Sequence, residues 1–81
     1  MISNQELEHE LSAVPAVIFA QVTGDLHHYH LTVVSDEFVG LSILARQKWV
    51  YAKLNTYIQS GALHAVQMKT YTNSEWEKQR G

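Results

Sequence analysis

The chain has 81 residues, with six lysines and arginines against eight aspartates and glutamates, and a formal net charge of -2. This length suffices for a single domain, residues 1–81, with one modest core and little room inside for a deep substrate pocket. The charge balance lacks the basic surplus that gives dedicated nucleic-acid binders most of their affinity. The sequence contains no cysteine, which excludes disulfides, thiol catalysis and all-thiolate metal sites.

The N-terminal segment predicts a helix. Ser3 and Glu6 have the spacing of a capping box, and Leu7 and Leu11 are four residues apart, which places them on one helix face. We expect this helix over about residues 3–13, ended by Pro15.

The next two segments predict a β-hairpin. Residues 16–22 are a short apolar, β-branched run, and residues 23–25 have turn chemistry. Residues 28–35 then alternate, with Tyr29, Leu31 and Val33 on one side and His28, His30 and Thr32 on the other. The alternation is typical of a half-buried strand paired with the run before it.

The second half of the chain predicts a long helix, a third strand and a short last helix. A helical period covers residues 42–59, with Gly61 placed to end it and four apolar residues on one arc, Ile43, Val50, Leu54 and Ile58. Residues 64–71 form the strand, and the Thr72–Glu75 capping box opens a helix through Trp76 and Lys78.

The predicted order is α-β-β-α-β-α, an α+β fold. The connection from strand two through the long helix has the length of a crossover, and such crossovers join parallel strands. We therefore expect a three-stranded mixed sheet with helices packed on one face, the type II KH-like topology. His28 opens strand two and His64 opens strand three. If these strands are neighbours, about 4.8 Å apart, the two imidazoles lie at one edge and can converge on one metal centre.

The middle and the end of the chain resemble the BolA protein family. The resemblance rests on Val33–Asp36, Phe38, Gly40, Arg46–Lys48 and Val50–Tyr51, and then on His64–Val66, Thr70–Thr72 and Glu75–Trp76. It covers roughly residues 20–77 and looks closer to the short IbaG-like branch than to founding BolA. It implies the KH-like fold that the periodicity predicts independently.

The resemblance also implies a partner and a cofactor. BolA-like proteins pair with monothiol glutaredoxins and share a [2Fe–2S] cluster, for which the glutaredoxin supplies its cysteine and a bound glutathione. Carried over, the ligands of this chain are His64, which begins the third strand, and His28, with the adjacent His27 as the alternative. No cofactor is expected in the isolated domain, which we expect to be a monomer.

Each histidine also has a plainer interpretation. Judged by spacing alone, His64 is more often a partly exposed or hydrogen-bonded side chain, and only the family motif favours a ligand. His27, His28 and His30 resemble a metal cluster, but a tetrahedral zinc site needs further ligands at defined spacing, and no complete set is evident. We expect His30 to be a surface residue.

The long helix carries three basic residues, Arg46, Lys48 and Lys53, where the family has a basic helix. A solvated helix surface and a contact surface for nucleic acid or glutaredoxin are about equally favoured. Trp49 lies off the apolar arc, and with Tyr51 it is a candidate for the partner surface.

Nothing in the sequence indicates an enzyme. The combination of Ser35, Asp36 and His64 lacks a nucleophile elbow, and there is no P-loop or Gly-rich dinucleotide turn. We expect neither a small-molecule substrate nor a membrane partner. Residues 1–12 lack the features of a signal peptide, which predicts a cytoplasmic location. The alternative function is a KH-like nucleic-acid-binding transcriptional regulator, against which stand the net acidity and the missing GXXG loop.

Overall fold

The computed structural model describes residues 2–24, 28–63 and 65–80. Within these ranges no helix is both long enough and apolar enough to cross a membrane. The elements run in the order α1 (Asn4–Ser12), β1 (Val17–Gly24), β2 (His28–Ser35), a 3-10 turn (Asp36–Phe38), α2 (Ile43–Lys53), α3 (Asn55–Gln59), β3 (Ala65–Tyr71) and α4 (Asn73–Arg80).

The strands form one mixed sheet in the order β1-β2-β3. β1 pairs antiparallel with β2, so that Val22 faces Leu31, and its register shifts between Val17 and Phe19. β2 pairs parallel with β3, beginning with His28 opposite Ala65. The predicted α+β fold and its mixed sheet are confirmed.

One face of the sheet carries the core. The alternating side chains of β2 that were predicted to point inward, Tyr29, Leu31 and Val33, are all buried there. Helix α1 covers them with Leu7 and Leu11, and α2 contributes Val50. Burial of an aliphatic side chain of this kind stabilises the fold by about 1.5–3 kcal/mol.

The long helix predicted over residues 42–59 is two helices. α2 ends where Leu54, buried to 1% exposure, turns out of helical geometry and donates its N–H to the carbonyls of both Val50 and Tyr51. The predicted apolar arc is therefore only half right, because Ile43 and Ile58 are exposed. Gly61 follows α3 with φ +79°, a left-handed conformation that favours glycine and ends the helix as predicted.

Helix α4 departs from the expectation that the helices share one face. Its Trp76 stacks on Phe19 with ring centroids 5.2 Å apart and tilts against Tyr71 at 5.4 Å. Phe19 and Tyr71 are both paired with Val34 across the strands, on the face opposite the core. Trp76 therefore packs on these two aromatic side chains on that face of the sheet. Val34, which pairs with both of them, is fully buried.

Candidate functional site

The candidate site lies at the edge of the sheet where β2 and β3 begin. His28 is the first residue of β2, its side chain is exposed, and it pairs with Ala65, the residue that follows His64 in the sequence. The next residue, Tyr29, points to the opposite face and is buried to 2% exposure. The buried side chain of Tyr29 therefore holds the start of β2 in place, while the side chain of His28 is exposed.

The hairpin that carries His28 is anchored by the N-terminal segment on both strands beside its turn. Asn4 donates from Nδ2 to the carbonyl of Gly24 at 3.1 Å, and the buried Tyr29 hydroxyl donates to the carbonyl of Ile2. These two bonds hold the last residue of β1 and the second residue of β2. No local pattern indicates these bonds, because the partners are 20 and 27 residues apart along the chain.

Gly24 is required by close packing as well as by its backbone conformation. Its φ is +114°, and a Cβ atom there would overlap the carbonyl oxygen of His28 and approach Cδ2 of His30 to 3.3 Å. The sequence predicts a turn at residues 23–25, but not this close approach. Gly24 thus belongs to the residues that position the start of β2.

Two of the three candidate ligands, His27 and His64, lie outside the described residues. The His64 assignment and the choice between His27 and His28 stay predictions. Within residues 2–24, 28–63 and 65–80, no three histidine, cysteine or acidic side chains come together as a metal site would require.

His30 is exposed, as predicted, on the face of the sheet opposite the core. It pairs with Thr23 on β1 and Gln67 on β3. With Thr32 and Lys69 these residues line a shallow cavity of about 480 Å³. The face beside the candidate ligand edge is therefore polar and open.

The motif residues Ser35 and Asp36 have structural roles. Ser35 is fully buried, and its hydroxyl donates to the carbonyl of Ala16 at 2.7 Å and accepts the Glu37 N–H at 3.1 Å. Asp36 accepts the backbone N–H of Asn73 at 3.1 Å, at the start of α4. These bonds tie β2 to the start of β1 and to the last helix.

Arg46 is an internal residue, so the expectation that it lies on a contact surface is wrong. Its side chain is 9% exposed, and its guanidinium donates to both carboxylate oxygens of Glu75, at 2.7 and 3.3 Å. It also donates to the carbonyls of Leu41 and Thr70. With its donors directed at these groups, Arg46 joins α2, β3 and α4.

Glu75 is held ionised by this arrangement. The hydrogen bond from Arg46, followed by the one from the Thr72 N–H, lowers the pKa of its carboxyl from 4.5 to about 2. Glu75 accepts that N–H at 2.8 Å while the Thr72 hydroxyl accepts the Glu75 N–H at 3.1 Å. The predicted capping box is confirmed, and it doubles as the acceptor for Arg46.

The other residues proposed for the contact surface are more accessible. Lys48 and Lys53 are exposed, and the Lys53 ammonium lies 4.9 Å from the ring centroid of Trp49. Trp49 is half-buried, and its ring meets Phe38 edge-on at 5.3 Å. The basic surface of α2 thus consists of two lysines, one of them placed over an aromatic ring.

Comparison with known proteins settles the family. The sequence model of the BolA-like protein family matches residues 2–75 of the chain. The chain belongs to this family. Among its BolA-like relatives, the acid stress protein IbaG of Escherichia coli K12 is 33% identical over 79 residues, which cover 98% of this chain and 94% of IbaG.

Two further BolA-like proteins extend the comparison. The DNA-binding transcriptional regulator BolA of Escherichia coli K12 is 30% identical over an alignment of 87 residues that covers 95% of this chain and 82% of that protein. The solved structure of a BolA homologue from Coxiella burnetii superposes with a TM-score of 0.78 at 32% identity, covering 95% of this chain and 99% of that one. The BolA fold and the likeness to IbaG are therefore established for this BolA-like chain.

Proposed function

We propose that this BolA-like domain is a non-enzymatic adaptor that binds a monothiol glutaredoxin and completes a shared [2Fe–2S] cluster. His64 and His28 are its ligands, with His27 as the alternative to His28. The glutaredoxin cysteine and its glutathione supply the thiolates. The complex acts in the assembly, trafficking or sensing of iron–sulfur clusters.

The observation that carries the proposal is the position of His28. It is exposed at the start of β2 and pairs with the residue next to His64, so an imidazole at this edge is accessible to a second protein. A chain without cysteine can offer a cluster no thiolate, and histidine ligation of one iron is known chemistry for [2Fe–2S] centres. Such a donor set needs a thiolate-bearing partner.

The test compares single alanine variants of four histidines, His27, His28, His30 and His64. Each variant is mixed with cluster-loaded monothiol glutaredoxin and glutathione, and the visible circular dichroism of the cluster is recorded. We expect His64→Ala and His28→Ala to lose the signal of the shared cluster. His30→Ala is the matched control, because His30 is exposed on the same strand and the same face as His28.

Far-UV circular dichroism of each free variant controls for folding. If His27→Ala loses the signal and His28→Ala keeps it, the second ligand is His27 and not His28. A wild-type cluster spectrum in folded His64→Ala would contradict the ligand assignment.

A second candidate function is regulation through DNA binding, favoured by the 30% identity to a relative described as a DNA-binding transcriptional regulator. The internal position of Arg46 leaves Lys48 and Lys53 as the basic residues of α2 for phosphate contact. Fluorescence anisotropy with duplex DNA tests this function. Affinity that falls steeply with salt and weakens in Lys48→Ala supports it, and the lack of saturable binding at low salt removes it.

A further inference from the structure

A run of large aliphatic side chains lies in solvent between the 3-10 turn and the first turn of α2. We call Val39, Leu41, Ile43 and Leu44 the apolar strip. Val39, Ile43 and Leu44 are 65%, 59% and 61% exposed, and Leu41 is 36% exposed. Residues 39–44 contain no charged side chain. Clustered exposure of this kind marks an interaction surface more often than isolated exposed leucines do.

The backbone beneath the strip is held in place. Leu41 donates its N–H to Phe38 at 3.0 Å and accepts from Nε of Arg46 at 3.1 Å, which connects it to the buried guanidinium. The Ser42 hydroxyl caps α2 by accepting the Ala45 N–H at 3.1 Å. A surface presented by such a fixed backbone loses little conformational entropy when it binds.

The strip is remote from the candidate ligand edge. It follows the C-terminal end of β2, whereas His28 begins that strand, and the eight residues of β2 span about 23 Å. A protein bound at the strip therefore leaves the start of β2 accessible. Binding at the strip is independent of the proposed cluster function.

The charges that flank the strip have opposite signs. Asp36 and Glu37 precede it, and Lys48 follows Leu44 by one helical turn on the same face of α2. All three side chains are exposed. In the part of the chain that the structure describes, neither the Glu37 carboxylate nor the Lys48 ammonium has an ion-pair partner.

We infer that the apolar strip is the contact surface of a weak, two-fold symmetric dimer of this chain. In a two-fold contact each surface meets itself in the reverse direction. Strip then packs on strip, Glu37 of one copy faces Lys48 of the other, and the reciprocal pair forms as well. Because the centre of the strip is uncharged, the contact brings no like charges together there. The acidic end of one strip lies opposite the basic end of the other only when the two strips run in opposite directions.

The size of the strip sets the strength of the dimer. A standard interface uses about 20–30 residues on each side, several times more than the strip provides. The contact therefore belongs to the weak, transient class. The monomer expected from the sequence is therefore the species at low concentration, and the dimer forms only at high concentration.

The first experiment is sedimentation velocity of the free protein, without glutaredoxin or cluster, from about 20 μM to about 1 mM, a range that reaches millimolar dissociation constants. We expect the weight-average sedimentation coefficient to rise from the monomer toward the dimer value. Leu44→Ser should raise the dissociation constant at least about tenfold, because each substitution acts twice in a symmetric contact. Ile58→Ser, an exposed apolar residue on α3, is the control and should leave association unchanged.

Charge reversal tests the reversed arrangement. Lys48→Glu and Glu37→Lys should each weaken association, and the double variant should restore it, whereas the control Lys78→Glu on α4 should have no effect. A monomer at every concentration overturns the inference and leaves the strip to a different protein. A dimer unaffected by Leu44→Ser, or not restored in the double variant, overturns it as well.

Discussion

Replacing Arg46 with alanine should destabilise the fold by about 2–3 kcal/mol. The largest contribution is the carbonyl of Thr70, a residue only 8% exposed, since a buried acceptor that loses a charged donor costs about 1–3 kcal/mol. Loss of the side chain packed over the Phe38 ring, 5.9 Å from its centroid, adds to this. The Glu75 carboxylate adds little, because its side chain is 47% exposed and water replaces the guanidinium.

The assay is equilibrium urea unfolding, followed by the fluorescence of Trp49 and Trp76. Urea unfolding gives the loss of about 2–3 kcal/mol in the free energy of unfolding directly. In thermal unfolding of a domain of this size, the same loss lowers the melting temperature by roughly 10–20 °C. Lys48→Ala, on the same helix but exposed, is the matched control and should stay within about 0.5 kcal/mol of the wild type. An Arg46→Ala variant as stable as Lys48→Ala would refute the structural role and return Arg46 to the contact surface.

Three further predictions concern Glu75, Gly24 and Thr72. Because Arg46 and the Thr72 N–H lower the pKa of Glu75 to about 2, its carboxylate stabilises the fold above pH 4.5, its ordinary pKa. The stability advantage of the wild type over Glu75→Gln, measured in urea, should shrink as the pH falls from 4.5 toward 2, and a constant advantage would contradict this. Gly24→Ala should lower the melting temperature more than Gly40→Ala, because both glycines have positive φ but only the first would collide with β2. Equal losses would show that the collision is absent. Thr72→Ala should reduce stability by about 1 kcal/mol through loss of the helix cap, and Thr72→Ser should recover most of it. The cap has no such role if both variants unfold like the wild type.

Elements fixed by local pattern were predicted well from the sequence. Strand β2 begins and ends where the alternation does, and the Thr72–Glu75 capping box makes both of its hydrogen bonds. In each case the partners are close along the chain, or the alternation itself separates the buried face from the exposed face. The parallel pairing of β2 with β3 followed from the length and handedness of the crossover.

The failures concern residues whose surroundings are set by distant parts of the chain. Arg46 and Glu75 are 29 residues apart, so nothing near Arg46 in the sequence identifies it as internal. Ile43 fits a helical apolar arc, but α2 turns it toward solvent, and the break at Leu54 depends on a core contact. The start of β2 was placed correctly, whereas the bond from Asn4 to Gly24, at the end of β1, depends on how α1 lies against the sheet.

Shared ligation of the cluster can be observed directly by titrating this protein into cluster-loaded monothiol glutaredoxin with glutathione while recording visible absorption and circular dichroism. We expect a changed cluster spectrum that saturates at one BolA-like chain per glutaredoxin, with a heterodimer of that composition on gel filtration. An unchanged spectrum and no complex would contradict it.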